Sequence, residues 1–422
     1  MRMKILSITA QKPHSTGSGT YMTELVRAFD RMGFSQAAVF GIYHSDEVSF
    51  PDGVTCYPVF FTEDRSVDLL SAPCKAQQAG FSALPFPVVG MSDIMPYTST
   101  RYRNLTPEMI SQFEEAFTGA VSRAIADLDP DLIICHHLFL LTSMVRKHFP
   151  ERKIIGISHG TDLRQMINCD NLREIVRPYI SELDAALALH GDQRGQIIDI
   201  FGIDESRVHV IGSGYNSGLF NTEGRAGREA GKPLRLAYAG KISRPKGVPE
   251  MLAALSKLST DSSVPSFELT MAGGCQDEAL KDSLDSLPPY VSWLGQIPQP
   301  ALAELLRRTD IFILPSYFEG LPLVLIEAMA SGAVPVSTDL PGVREWIDSN
   351  VSGSSIVYVP MPQMKSIDEP TDDGRLDFTG DLSRALRDVM SAFDQGILPG
   401  PLPDTSSITW DGLASRLLRF CS

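Results

Sequence analysis

Glu319 and Glu327 belong to the run Tyr317-Phe318-Glu319-Gly320-Leu321-Pro322-Leu323-Val324-Leu325-Ile326-Glu327-Ala328-Met329-Ala330-Ser331-Gly332, where a carboxylate is costly to keep. The stretch before it, 311–314, is unbroken apolar and reads as a strand buried on both faces, ended by Pro315 and Ser316. Pro322 suits a first helical turn, and Gly332 the position just past a helix end. The helix between them is apolar on nearly every side, so burial is expected, and Glu327 is its one charge. A buried carboxylate costs on the order of several kcal/mol unless it is paired or hydrogen-bonded. A ligand hydroxyl would meet that need; so would a structural arginine or a neighbouring backbone group. Glu319 instead sits in the loop at the mouth of the strand-to-helix turn, so the two carboxylates do not share a helix face.

Cations and glycines supply the complementary chemistry. Gly240-Lys241-Ile242-Ser243-Arg244-Pro245-Lys246-Gly247 follows a predicted strand, and Lys241 and Lys246 flanking Arg244 at a strand end suit a phosphate better than plain solvation. Near the start, Pro13-His14-Ser15-Thr16-Gly17-Ser18-Gly19 reads as a loop between a strand and a helix, whose N-terminus offers free N–H groups to an anion. Gly17-x-Gly19 by itself fits a tight turn equally well. His159, in His159-Gly160-Thr161-Asp162, stands at the C-terminal end of a strand, where ligands bind in open α/β folds; a cap on the next helix is the alternative. His136 and His137 are adjacent, so in a strand their side chains point apart, and no third ligand has suitable spacing. They read as loop or pocket lining. Asp127-Leu128-Asp129 has the form of a metal-binding Asp-x-Asp, but it falls at a helix end beside Pro130, where capping or solvation explains it. No metal site is expected.

Glu-x7-Glu, the run Glu327-Ala328-Met329-Ala330-Ser331-Gly332 and Pro335-Val336 resemble the donor-site signature of the retaining glycosyltransferases of family 4. That resemblance implies a GT-B architecture: α/β, two Rossmann-like parallel-sheet domains facing across a cleft. It implies metal-independent transfer of a sugar from a nucleotide-diphosphate sugar to an acceptor that the sequence does not identify. UDP-sugars are the favoured donors, with GDP- and ADP-sugars as the other candidates, and no cofactor is expected. By the same resemblance Glu319 faces donor-sugar hydroxyls, Glu327 the nucleotide ribose, and His159 the donor sugar, which makes His159 and Glu319 the catalytic candidates. Lys241 and Lys246 match phosphate-binding positions, although Lys241 stands where arginine is commoner and lacks its bidentate fork. Gly17 or Gly19 would approach the diphosphate, and the N–H groups of Gly320 and Leu321 would help orient sugar and phosphate. The resemblance also implies reaction on one face of the sugar, with the leaving phosphate assisting removal of the acceptor proton.

These groups need a scaffold, and the chain alternates strand and helix twice over. Strands are predicted at 4–9, 36–42, 132–135, 153–158, 185–189 and 208–211, with helices over about 20–32, 107–127 and 191–201. After a Gly-, Arg- and Glu-rich linker at 221–233 the alternation restarts, with strands at 234–239, 267–272, 291–294, 311–314, 334–337 and 356–358. The resulting plan is an N-terminal domain at 1–220 and a C-terminal domain at 234–405, which the resemblance implies bind the acceptor and the nucleotide-sugar donor respectively. A C-terminal helix is expected at 406–422, amphipathic around Trp410, Leu413, Leu417 and Phe420, and the resemblance implies that it crosses back to the first domain. Residues 43–103 show little periodicity; Gly90-Met91-Ser92-Asp93-Ile94-Met95-Pro96-Tyr97 is the candidate for part of an acceptor surface, with a structural insertion equally compatible. The Pro- and Asp-rich stretch 360–379 reads as a surface loop.

Composition excludes several other classes. Among 422 residues, 51 acidic against 37 basic give a net charge of −14, unsuited to nucleic acid as a main partner. No polybasic run marks a membrane contact, although a local basic patch is compatible with the count. No apolar run approaches the ~20 residues of a membrane span. Six scattered cysteines form no Cys-x-x-Cys, so a reducing cytoplasm is the expected setting. A dinucleotide oxidoreductase would need a third glycine where Met22 stands. A nucleotide-sugar epimerase on the same fold, and a non-catalytic nucleotide-sugar-binding protein, are the alternatives to a transferase.

Overall fold

The computed structural model describes residues 2–63, 83–229, 231–275, 277–284 and 286–420. The chain divides into two compact units: 1–214 together with 410–422, and 215–409.

The first unit is built on one parallel sheet of eight strands. In chain order these are β1 (Lys4–Thr9), β2 (Ser35–Tyr43), β3 (Val54–Phe61), β4 (Ala83–Leu84), β7 (Leu132–His136), β8 (Ile154–Ile157), β9 (Ala185–Ala188) and β10 (Val208–Val210). A separate pair, β5 (Val89–Gly90) and β6 (Thr100–Arg101), lies in the excursion between β4 and β7. The main sheet runs β10-β9-β8-β7-β1-β2-β3-β4, so its order reverses between β1 and β7. β1, β7, β8 and β9 are buried almost throughout, as strands covered on both faces must be. The helices are α1 (Gly17–Arg31), α2 (Pro107–Leu128), α3 (Leu140–His148), α4 (Thr161–Asn168), α5 (Asp170–Ile180) and α6 (Gly191–Phe201). α1 buries Met22, Leu25, Val26 and Phe29, the face its periodicity predicts, and Gly33 beyond it has φ +76.

Two expectations in this unit need correction. The helix expected from 20 starts at Gly17, because the Thr16 side chain caps it by accepting from the Gly19 N–H; Gly17 and Gly19 thus lie in the first turn, not in the loop. The aperiodic stretch 43–103 contains β3, which pairs in parallel with β2 from Val54 to Phe61. Pro58 and two exposed residues early in the strand hide its alternation. Residues 64–82 of that stretch lie outside the described residues.

The second unit holds β11 (Leu234–Ala239), α7 (Val248–Ser259), β12 (Phe267–Ala272), α8 (Glu278–Leu284), β13 (Val291–Trp293), α9 (Gln299–Arg308), β14 (Ile311–Leu314), α10 (Leu323–Ala330), β15 (Val334–Thr338), α11 (Val343–Asn350), β16 (Val357–Val359) and α12 (Asp372–Asp394). Its sheet is parallel, in the order β13-β12-β11-β14-β15-β16. Counted within the unit this is 3-2-1-4-5-6, the doubly wound dinucleotide order, whose ligand crevice opens beyond the carboxyl ends of the two central strands. Those strands are β11 and β14. In the segment read as a linker, the Arg225 guanidinium donates to the carbonyls of Arg307 (2.9 Å), Thr309 (2.8 Å) and Ser331 (3.0 Å).

The surface loop expected at 360–379 gives way at Asp372 to helix α12. Thr371 caps it by accepting from Gly374 N–H, Asp372 and Asp373 favour its first turn, and Phe378 is buried. Near the other end of the chain, α13 (Trp410–Leu417) groups with the first unit, buries Trp410, Leu413 and Leu417, and is tied to α1 by Arg31 and Asp411 at 2.5 Å. Among the described residues no helix is long and apolar enough to cross a membrane.

Candidate functional site

In the second unit the switch point gathers the predicted donor groups. The loop after β11 carries Lys241 and Lys246; the loop after β14 carries Glu319. Two close approaches stitch these loops together. Tyr317 N–H donates to Pro245 O at 3.0 Å. Gly247, at φ +64, lets the backbone pass so close to Pro315 that a Cβ would sit 2.1 Å from its carbonyl oxygen. Lys246 Nζ is thereby 2.7 Å from Glu319 Oε1 and 3.2 Å from Phe318 O. Ser316 Oγ donates to the same Oε1 at 2.8 Å. Sequence reasoning placed Lys246 on phosphate and Glu319 on sugar as separate contacts; the fold joins them in one ion pair, each side chain 22% exposed. Ser316 was missed, although an alcohol three residues before the acid was a readable signal.

Lys241 lies exposed on the same loop, whose turn is braced by Tyr238 OH donating to Lys241 O at 2.6 Å. Desolvation by the surrounding protein, then Lys246, pull its ammonium below the ordinary lysine value, while Glu319 opposes them. Because the residue keeps so much surface in water, screening makes the effect small. Arg244 faces Asp277 at 3.6 Å instead of joining the lysines. A further close approach holds the floor of this edge: Gly273, at φ +142, would put a Cβ 1.7 Å from Gly240 O.

Glu327 is 7% exposed within α10, as an apolar helix with one charge requires. Pro322 precedes the helix instead of occupying its first turn, and Leu325 N–H donates to Pro322 O at 3.0 Å. Gly320 and Leu321 therefore lie in the loop ahead of the helix start at Leu323. Gly332 closes it at φ +87.

The first unit has its own switch point, between β1 and β7. After β1, Gly19 is pressed against the loop before α1, where a Cβ would meet Lys12 O at 2.9 Å; Gly17 has open space around it. Gln11, which is buried, accepts from Ser18 Oγ at 3.1 Å, and its Nε2 has no hydrogen-bond partner among the described residues. After β7 and β8 three imidazoles converge. His136 Nδ1 lies 3.1 Å from His159 Nε2, with the rings inclined by only 13°. The His137 ring is 4.8 Å from that of His159, and Tyr21 meets His159 edge-on at 5.0 Å. Spacing alone suggested that His136 and His137 diverge; instead His137 turns at φ +74, which brings its ring back toward His159.

Burial pushes His136 and His137 down to about 3, with His136 adding to the effect on His137. Desolvation, then His137 and His136, hold His159 well below the ordinary value. All three are neutral near pH 7. Asp162 is fully buried and accepts from Leu138 N–H (2.7 Å), Ser158 Oγ (3.0 Å) and His159 N–H (3.2 Å), so one carboxylate ties both strand-end loops. Burial raises its pKa against those hydrogen bonds. Tyr57 OH donates to Asp127 at 2.6 Å, and Arg152 pairs with Asp129 at 2.7 Å. Among the described residues no group of three His, Cys, Asp or Glu is arranged to hold a metal ion.

Two parallel-sheet units of this kind make the GT-B fold of glycosyltransferases, and residues 221–367 match the family model described as Glycosyl transferases group 1. In sequence the chain is 26% identical over 188 residues to a D-inositol 3-phosphate glycosyltransferase of Nocardia farcinica; the match covers 41% of this chain and 42% of that relative, less than half its length. In structure it is similar to sucrose-phosphate synthase of Thermosynechococcus elongatus, with TM-score 0.64 and 16% identity over 99% of this chain and 98% of the other. It is similar also to Anabaena Alr3699/HepE in complex with UDP-glucose, with TM-score 0.59 and 13% identity over 99% of both chains.

Proposed function

We propose that this chain is a retaining, metal-independent glycosyltransferase that moves a sugar from a nucleoside-diphosphate sugar, preferentially a UDP-sugar, to a small or polymeric hydroxyl acceptor. The observation that carries the proposal is the Lys246–Glu319 pair at 2.7 Å, held beside Lys241 at the switch point of a unit that matches the group 1 model. A diphosphate reaching this edge competes with Glu319 for the Lys246 ammonium. The cation then serves the phosphate, and the released carboxylate can accept from sugar hydroxyls. Glu327, buried one helix turn and more into α10, suits the ribose diol of the nucleotide. The UDP-glucose bound to the Anabaena structure supports a uridine donor.

In the reaction the bond between the anomeric carbon and the diphosphate oxygen breaks with its electron pair going to the phosphate. The acceptor oxygen bonds to the anomeric carbon from the same face, and its proton passes to the departing phosphate oxygen. Products are the glycosylated acceptor, with configuration retained, and the nucleoside diphosphate. Lys241 and Lys246 supply the counter-charge that a divalent ion supplies elsewhere. Gly17 and Ser18, opening α1 beside Gln11, offer N–H groups suited to a phosphate, and His159 offers a ring suited to a sugar hydroxyl. Residues 90–97, anchored by Gln165 Nε2 donating to Met91 O at 2.9 Å, contribute to the acceptor surface. The cytoplasm, where nucleotide sugars are made, is the setting that fits.

A thermal-shift panel of UDP-, GDP- and ADP-sugars tests the donor. A ligand at a hundred times its dissociation constant adds about 2.7 kcal/mol, so a true donor stands out. Product analysis by NMR then reads the anomeric configuration. No stabilisation by any nucleotide sugar, or an inverted product, would overturn the proposal.

A further inference from the structure

We infer that His136 is a positioning residue, one that fixes the tautomer and ring plane of His159 so that His159 presents Nδ1–H, a hydrogen-bond donor, to the sugar; its catalytic meaning rests on the transferase reading above. Both imidazoles are neutral, so each carries one N–H. The 3.1 Å contact joins His136 Nδ1 to His159 Nε2, and a single proton must occupy it. Two arrangements satisfy this. If His159 donates from Nε2, His136 must carry its own proton on Nε2. If His136 donates from Nδ1, its Nε2 is a bare acceptor.

The surroundings choose between them. His136 is 3% exposed, and its Nε2 is buried with no hydrogen-bond partner among the described residues. Buried N–H groups without an acceptor are rarer in native proteins than under-satisfied acceptors. The favoured arrangement therefore leaves His136 Nε2 bare and puts the shared proton on His136 Nδ1. His159 Nε2 accepts it, and the His159 proton resides on Nδ1. The hydrogen bond made by one ring nitrogen sets the role of the other.

Rotation cannot undo this choice easily. Tyr21 packs edge-on against the His159 ring at 79°, and His137 crosses it at 62°. Asp162 holds the His159 main chain while also holding Leu138, two residues beyond His136. His136 and His137 are buried, whereas His159 is half-buried, so of the three residues it is the most exposed. The result is a directional donor, suited to a hydroxyl or ring oxygen and unsuited to taking a proton from an acceptor alcohol.

The test uses the full chain labelled with 15N-histidine, with long-range 1H–15N correlations reporting the tautomer of each ring. His136→Leu removes the contact. His136→Asn keeps an amide N–H close to the position of Nδ1. We expect His159 as the Nδ1–H form in the wild type, a shift toward Nε2–H in His136→Leu, and restoration in His136→Asn. Turnover with UDP-glucose should follow: kcat about ten- to a hundredfold lower in the Leu variant with KM for the donor little changed, and recovered in the Asn variant. An Nε2–H His159 in the wild type, one tautomer in all three proteins, or equal loss in both variants would overturn the inference. Absence of turnover in the wild type with every nucleotide sugar would instead overturn the transferase reading, and the tautomer measurement would still decide the coupling.

Discussion

Mild acid should destabilise the first unit through its histidine cluster. His136 and His137 are 3% and 2% exposed, and burial places both at about 3 against 6.5 for a free histidine. In the folded chain they stay neutral through pH 5; unfolded, they take up protons below 6.5. The unfolded state therefore binds more protons, and stability rises with pH across this window. Their contribution is complete above pH 6.5 and is lost as pH falls from there toward 3. At pH 5.0 each imidazole removes about RT ln(1 + 10^1.5), or about 2 kcal/mol, so the pair removes on the order of 4 kcal/mol. His159, also held well below the ordinary value, acts in the same direction. Against a total of about 5–15 kcal/mol this is a large share, and for a unit of this size it lowers Tm by on the order of 10 °C between pH 7 and pH 5.

Asp162 opposes the trend. Its raised carboxyl takes up a proton more readily folded than unfolded, so its influence favours the folded state as pH falls. A variant comparison cancels it. His137→Asn suits the test because asparagine tolerates the φ of +74 at this position and does not titrate. Scanning calorimetry at pH 7.0, 6.0, 5.5 and 5.0 and constant ionic strength should show a wild-type slope steeper than the variant's by about one proton. Parallel lines for the two proteins, or a wild-type Tm flat across the window, would refute the reasoning.

Other outcomes follow from the second unit. Glu327→Gln should fold normally yet bind a UDP-sugar at least about tenfold more weakly, since a charged acceptor on a ligand hydroxyl contributes about 1.5–3 kcal/mol; calorimetric titration checks it, and unchanged affinity would remove Glu327 from the ribose site. Lys246→Ala should depress turnover far more than excess chelator does, and activity abolished by chelator and restored by magnesium or manganese would end the metal-independent scheme. Gly273→Ala should cost about 3 kcal/mol or more, because its φ of +142 and the 1.7 Å approach of Gly240 O leave a methyl group no place. A thermal melt within about 2 °C of wild type would show that this edge yields without strain.

Much of the framework was legible because it is local. Apolar runs such as 311–314, the periodic face of α1, and glycines at helix ends such as Gly33 and Gly332 are properties of a few adjacent residues, and each reappears as expected. The solitary charge of an apolar helix likewise announced that Glu327 would be buried. Where a local signal was mixed, the chain misled: Pro58 masked β3, and Pro- and Asp-rich residues masked the capped start of α12, although both elements bury apolar side chains that only their neighbours in space could reveal. Strand order was beyond any local pattern. It depends on which strands pair across long stretches of chain, and it alone sets the loops after β11 and β14 side by side at a switch point. From that follows the Lys246–Glu319 pair, whose members the sequence separated into two tasks. The same holds for His136 and His159, 23 residues apart in the chain. Their types and strand-end positions could be read in one dimension, but their shared proton exists only because β7 and β8 are neighbours and a buried carboxylate ties the loops that follow them.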